Sequence, residues 1–238
     1  DRYGLEASGF LTSRMQPVVF ASPRYASYNQ VSYIAGLYQD FEDAVFSADG
    51  SSPYTGKMYY EYIDMDSFAR KYLLEELVKN LDASFTSQYL YKYDDSVNSR
   101  FYAGPCWDYD KSIAASGITE DGINLNDPEG LYAAVQEKDS DIWYALYQHE
   151  DFRKTAASIF FKELEPYLRK DRGQIFFEYS SGIRDSNDCN MIRWNTFPQA
   201  VTIEEKRILY HAKVLELASF IDQRLDFLYS EWEVLQDG

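Results

Sequence analysis

Asp82 and Asp108 are the two carboxylates of this chain best placed to do chemistry, because each stands where a regular element ends. The first lies in Asn80-Leu-Asp82-Ala-Ser-Phe-Thr-Ser87, and the second in Gly104-Pro-Cys-Trp-Asp108-Tyr-Asp110. Between them a strand-like Gln88–Lys92, a polar turn and a return strand form one hairpin, which turns the chain back and brings the two acids close. Two carboxylates so arranged suit phosphoryl transfer. One orients or deprotonates a hydroxyl, and the other holds the magnesium that neutralises nucleotide phosphates.

The elements that must hold these residues are legible on either side. A helix over 67–81 is predicted from Ala69, Tyr72, Leu73, Leu77 and Leu81 on one face, a stripe that Leu74 and Val78 widen. A carboxylate leaving such a packed helix has a fixed position. It also sits at the negative end of the helix dipole, which favours a cationic or metal partner. Strands are predicted at 89–93 and 100–103, joined by Asp94-Asp-Ser-Val-Asn-Ser99.

Further out, a strand over 15–21 precedes a helix that Ser27 and Gln30 cap as a box, with Val31, Ile34, Tyr38, Phe41 and Val45 recurring at helical spacing. Residues 47–57 read as a breaker-rich loop, either a lid or a surface connection. A second long loop covers 116–130. Beyond it, short helices are expected at 131–136 and 141–148, and a longer one at 151–164 ending before Pro166. A helix over 172–182 is followed by a loop around 186–190. The last helix, about 30 residues long, starts at a second capping box formed by Thr202 and Glu205.

Composition sets the class. The chain has 238 residues, 45% of them hydrophobic, enough for a sizeable core. A formal charge of −16 argues against nucleic acid or an anionic lipid surface as partner, since both select cationic proteins. No apolar run reads as a membrane span, and the first six residues read as domain interior rather than signal peptide. Cys106 and Cys189, the only cysteines, lack zinc-site spacing. They are either buried free thiols or a bridge tying the downstream segment to the site. His149 and His211 fall in helical patterns away from both motifs.

The segment around the two acids resembles the CotH kinase family, atypical protein kinases first associated with bacterial spore coats and also found in secreted bacterial and fungal proteins. Asn80-x-Asp82 and Trp107-Asp108-Tyr-Asp110 are its most specific parts. Val18–Pro23, Tyr33-Ile34, Phe41-Glu42 and Tyr62–Phe68 upstream, and Trp143–Leu146, Phe152-Arg153, Arg193-Trp194 and Arg224–Leu228 downstream, extend the likeness over most of the chain. In ordinary kinases a metal-binding Asn follows the catalytic Asp by five residues. Here that place is Ser87. Asp108-Tyr109-Asp110 similarly resembles Asp-Phe-Gly, with Asp in place of Gly.

The resemblance implies an α+β fold, mainly helical, like a protein-kinase C-lobe with a small hairpin at the site and little or no N-lobe. No Gly-rich phosphate loop is present. It implies one domain over 1–238, with an N-terminal strand, helix and loop (1–57), a catalytic core (58–115) and a helical subdomain (116–238). Asp82 would be the catalytic base with Asn80 ordering its loop, Ser87 and Lys92 would face the nucleotide, and Asp108 and Asp110 would hold Mg²⁺ or Mn²⁺ with ATP. The acceptor would be Ser or Thr of a surface or spore-coat protein, outside the cell or on its surface, with loop 116–130 meeting it. Taken singly, Asp82 also reads as a solvated helix cap and Asp108 and Asp110 as turn residues. The alternative function is a noncatalytic coat or surface module, its 22 tyrosines suiting glycan or protein contacts.

Overall fold

Helix α3 (Met65–Val78) is the element from which the site is built, and a hydrogen-bonded cap stands at each of its ends. At its start Asp64 accepts from the backbone of Ser67 (2.9 Å) through its side chain and from that of Phe68 (3.1 Å) through its carbonyl. At its end Lys79 turns left-handed (φ 46°), and the Asn80 amide reaches back to the Glu75 carbonyl (3.2 Å). That six-to-one bond is the signature of a Schellman cap. The helix therefore stops three residues before the apolar periodicity does, which places Asn80 outside it.

The computed structural model describes residues 8–80, 82–83, 86–113, 124–135, 138–171 and 173–235. It is 58% helical with two small antiparallel hairpins, so the fold is mainly α with some β, as expected. In chain order the elements are β1 (Gly9–Leu11), β2 (Pro17–Val19), α1 (Tyr28–Val45), α2 (Tyr59–Tyr62), α3, β3 (Leu90–Lys92), β4 (Phe101–Ala103), α4 (Ile142–Gln148), α5 (Glu150–Ile159), α6 (Glu165–Asp171), α7 (Gln174–Gly182), α8 (Arg184–Arg193) and α9 (Ile203–Trp232). They form two compact units. One comprises Asp1–Glu76, Asn80–Tyr109 and Leu131–Ala156, the other Leu77–Lys79, Asp110–Gly130 and Ala157–Gly238.

In the first unit, α1 starts at the Ser27–Gln30 capping box. β1 and β2 pair with Phe10 opposite Val18, and β3 and β4 with Tyr91 opposite Tyr102. Its core is aromatic: Phe41, Phe68, Tyr72, Trp143 and Phe152 are all fully buried, with Tyr72 against both Trp143 and Phe152. Each such side chain contributes about 2 kcal/mol through removal from water. The loop after α1 is a tight connection. Asp49 accepts from Ser47 Oγ, Ser51 Oγ and the Ser51 amide, and Ser52 is buried.

In the second unit, α9 runs 30 residues from the Thr202–Glu205 capping box, as the sequence predicts. Pro166 does not end the preceding helix. A π-helical turn over Phe160–Leu164 joins α5 to α6, with the Glu165 amide bonded five residues back to Phe160. That wider turn shifts the register, so the proline, which has no N–H and clashes with a carbonyl four residues back, is accommodated. Residues 186–190, expected as a loop, lie within α8. Arg207 grips Asp188 with two nitrogens and Met191 is buried, and this packing overrides the weak helix propensity of Ser, Asn and Asp.

The helix expected at 131–136 is a single 3₁₀ turn, Ala133–Val135. The Glu76 carboxylate takes the Tyr132 amide, a side-chain bond in place of a helical one. Cys106 and Cys189 are unbridged thiols, exposed rather than buried. No helix among the described residues is long and apolar enough to cross a membrane.

Candidate functional site

Glu75 is the point where the two acidic motifs meet. Its side chain is buried within α3 and pairs with Lys71 one turn earlier, itself buried. Glu75 Oε1 also accepts from the Tyr109 hydroxyl (2.7 Å), and Tyr109 Oη accepts in turn from Lys71 Nζ (2.6 Å). The other oxygen, Oε2, accepts from the Asn80 carboxamide (2.7 Å). One carboxylate therefore ties Asn80, two residues before Asp82, to Tyr109, which directly follows Asp108. Burial, and then the bond to Glu75, push the Tyr109 phenol well above its ordinary value, so it remains a donor.

Asp82 is held from both sides. Its backbone N–H donates to Asn80 Oδ1 (3.2 Å), and the Ala83 amide donates to the Asn80 carbonyl (3.2 Å). The Ala83 carbonyl accepts from the indole of Trp143 (3.1 Å), a side chain wholly buried among Phe68 and Tyr72. Asp82 itself is half-buried.

Asp108 is delivered by the hairpin. The Gly104 amide extends the β3–β4 ladder by bonding the Tyr89 carbonyl (2.8 Å), and Gly104 has φ 130°, a conformation that suits glycine. Asp108 is exposed and left-handed (φ 59°), a backbone state that aspartate tolerates better than most residues. Trp107 beside it is exposed and packs at a tilt on Tyr89, with ring centroids 5.9 Å apart. Asp110 follows on the 3₁₀ turn Tyr109–Lys111 and is exposed.

The remaining sequence candidates divide. Ser87 is buried in the loop that follows Asp82. Lys92 lies on the hairpin, and its ammonium meets Asp95 and the Tyr93 carbonyl (3.0 Å) over the ring of Tyr33. Of loop 116–130, residues 116–123 lie outside the described part. The rest is anchored within the second unit, where Lys79 Nζ donates to the carbonyls of Asp127 and Glu129 (2.6 and 2.5 Å) and Arg224 Nη1 to those of Pro128 and Gly130 (2.8 and 2.6 Å).

Lys71, Glu75 and the roles of Tyr109 and Trp143 escaped the sequence reading. A Lys and a Glu four apart on a helix normally mark a solvated face. The signal was that Glu76, on the next residue of α3, falls between Tyr72 and Ala69 around the helix, inside the apolar face, and that Lys79 follows directly at the cap. All four are buried.

Among the described residues no group of three or more His, Cys, Asp or Glu is arranged to hold a metal ion by itself. Magnesium in nucleotide sites takes one or two protein carboxylates and completes its shell with phosphate oxygens and water. A hard oxygen donor such as Asp108, exposed in the short segment that follows β4, fits that demand.

A mainly helical fold, with one acidic loop leaving a packed helix and a second acidic motif leaving a hairpin, is the kind a kinase-related domain presents. The family model described as CotH kinase protein matches residues 16–228, and the chain belongs to the CotH kinase family. Neither the curated proteins nor the solved structures contain a match.

Proposed function

We propose that this chain is the catalytic region of a CotH-like protein kinase, moving the γ-phosphate of ATP to a Ser or Thr hydroxyl of a protein at the cell surface or in a spore coat. The observation that supports this reading best is the convergence of Asn80 and Tyr109 on Glu75, which links the Asp82 loop to the Asp108 motif through bonded atoms. Asp82 is the base that receives the acceptor hydroxyl's proton, with Asn80 ordering its turn. Asp108 is the metal ligand, with Asp110 as a second carboxylate. Bound Mg²⁺ or Mn²⁺ neutralises the phosphates and aligns the γ-phosphoryl group.

Ser87 and Lys92 are the nucleotide-side groups in this reading. Lys92 meets a phosphate only by exchanging Asp95 for it. Calorimetry of ATP binding with and without Mg²⁺ tests the assignment. Metal-dependent binding in the wild-type chain that disappears in Asp108→Ala is expected, and Asp82→Asn should bind but not transfer. ATP binding indifferent to metal, or unchanged in Asp108→Ala, would sink the reading.

A second reading, a noncatalytic binding module, draws on the hairpin's aromatic cluster. Tyr91 and Tyr102 stack at 5.2 Å, Tyr93 meets both rings edge-on, and Tyr91, Tyr93 and Trp107 are exposed. Glycan or surface-protein contacts would use such rings, and retention of ligand binding in Asp82→Asn with Asp108→Ala would favour it.

A further inference from the structure

The Asp108 backbone is left-handed and exposed, and nothing in its own side chain requires that conformation. The next residue, by contrast, is fixed. Tyr109 places its hydroxyl between Lys71 and Glu75, accepting from the ammonium at 2.6 Å and donating to the carboxylate at 2.7 Å. The ammonium also lies 4.9 Å from the centre of the Tyr109 ring, a cation–π distance. Both partners are buried on α3, a helix capped at each end, so the anchor point is rigid. On the other side, Gly104 is locked to Tyr89. The short stretch 105–108 therefore runs between two fixed points.

We propose that Tyr109 is a positioning residue. Its phenol, clamped by the Lys71–Glu75 pair, holds Asp108 in the left-handed turn that presents the carboxylate to a metal. The inference rests on the reading of Asp108 as a metal ligand. It differs from simple aromatic packing because it depends on the hydroxyl. A phenylalanine would fill the same space, leave Lys71 and Glu75 paired with each other, and release Asp108 to relax toward ordinary backbone angles.

The test is Mn²⁺ titration in the presence of ATP, followed by the loss of the free-ion paramagnetic resonance signal, for wild type, Tyr109→Phe and Asp108→Ala. Amide hydrogen exchange at 106–110 is measured on the same samples. Asp108→Ala should abolish the Mn²⁺ binding that exceeds that of a matched sample of ATP alone. Tyr109→Phe should weaken it by about tenfold, the equivalent of ~1.4 kcal/mol, and speed exchange at 106–110 while the protein stays folded. A purely structural tyrosine would instead lower the unfolding temperature and leave the folded protein's Mn²⁺ affinity and local exchange unchanged, which overturns the inference. Wild-type Mn²⁺ affinity in Asp108→Ala overturns the metal-site reading itself, a result distinguishable because it appears in the variant that leaves Tyr109 intact.

Discussion

Helices α3 and α9 both bury cations, and they use them in opposite ways. On α3, Lys71 meets two side chains, Glu75 and Tyr109, each of which has further partners near the candidate site. On α9, Lys206 binds the carbonyls of Thr196 and Phe197 along with Asn195 Oδ1, and Arg224 binds the carbonyls of Pro128 and Gly130. A backbone carbonyl is present whatever the residue, so an α9-type anchor depends on one side chain and fixes a loop. An α3-type network needs several residue identities at once and fixes the relation between side chains. The second kind is what chemistry requires.

The largest expected effect separates these two uses. Glu75→Leu leaves Lys71 as an uncompensated buried charge and should cost about 3–5 kcal/mol in urea unfolding. Replacing both members, Lys71→Met with Glu75→Leu, should restore much of that stability, because a buried pair exchanged for packed apolar groups is often neutral. It should not restore metal binding, since Tyr109 and Asn80 then lose the carboxylate on which both converge. A double variant as unstable as the single one would show that Lys71 and Glu75 are not each other's main partners.

Arg224→Met tests the loop-anchoring type. Two carbonyl bonds to a buried, charged donor are lost with no acceptor removed, and a destabilisation of about 3 kcal/mol is expected. Hydrogen exchange should accelerate over 124–130. A loss of stability spread evenly over the second unit would make Arg224 a packing residue rather than a loop anchor.

Lys79 joins both themes and gives a smaller effect. Its left-handed backbone would be relieved by glycine by about 1 kcal/mol, yet its ammonium holds the carbonyls of Asp127 and Glu129. Lys79→Gly should therefore be a net loss of about 1 kcal/mol, the charged bonds outweighing the relieved strain. A stabilised Lys79→Gly protein would mean that those carbonyls find other donors.

Much of the frame was legible because its causes are local. The capping boxes at Ser27 and Thr202 fix the starts of α1 and α9 within a few residues of sequence, and the polar run 94–99 fixes the hairpin. What escaped was decided at a distance. Trp143 reaches Ala83 across 60 positions, and no periodicity records such a contact. The end of α3 depends on Lys79 adopting a conformation usually left to glycine, which its distant carbonyl partners explain. Residues 186–190 have the composition of a turn and became helix through Asp188 and Met191. At the site the acids were readable as types, whereas the groups that connect them looked like surface charges.

The hairpin turn supplies the weakest side-chain network and so the finest test of the comparison. Lys92 and the Tyr33 hydroxyl (2.7 Å) both donate to Asp95. Lys92, and then Tyr33, hold the Asp95 carboxyl below its usual range, so this support exists above the ordinary aspartate value and fades as pH falls through the lowered one. Burial, and then Asp95, push the Tyr33 phenol up to about 12. Its support is complete below the free tyrosine value near 10 and is lost as pH rises toward about 12. Asp95→Asn should move the Tyr33 transition down, read as phenolate absorbance against a Tyr33→Phe control, with little change in stability because Asp95 and Tyr33 are exposed. The same change frees Lys92. If Lys92 faces the nucleotide, Asp95→Asn should tighten ATP by a few-fold and Lys92→Met should weaken it, a difference of under ~1 kcal/mol. Equal ATP affinity in all three proteins would confine Lys92 to holding the turn, a network that fixes the hairpin without serving the site.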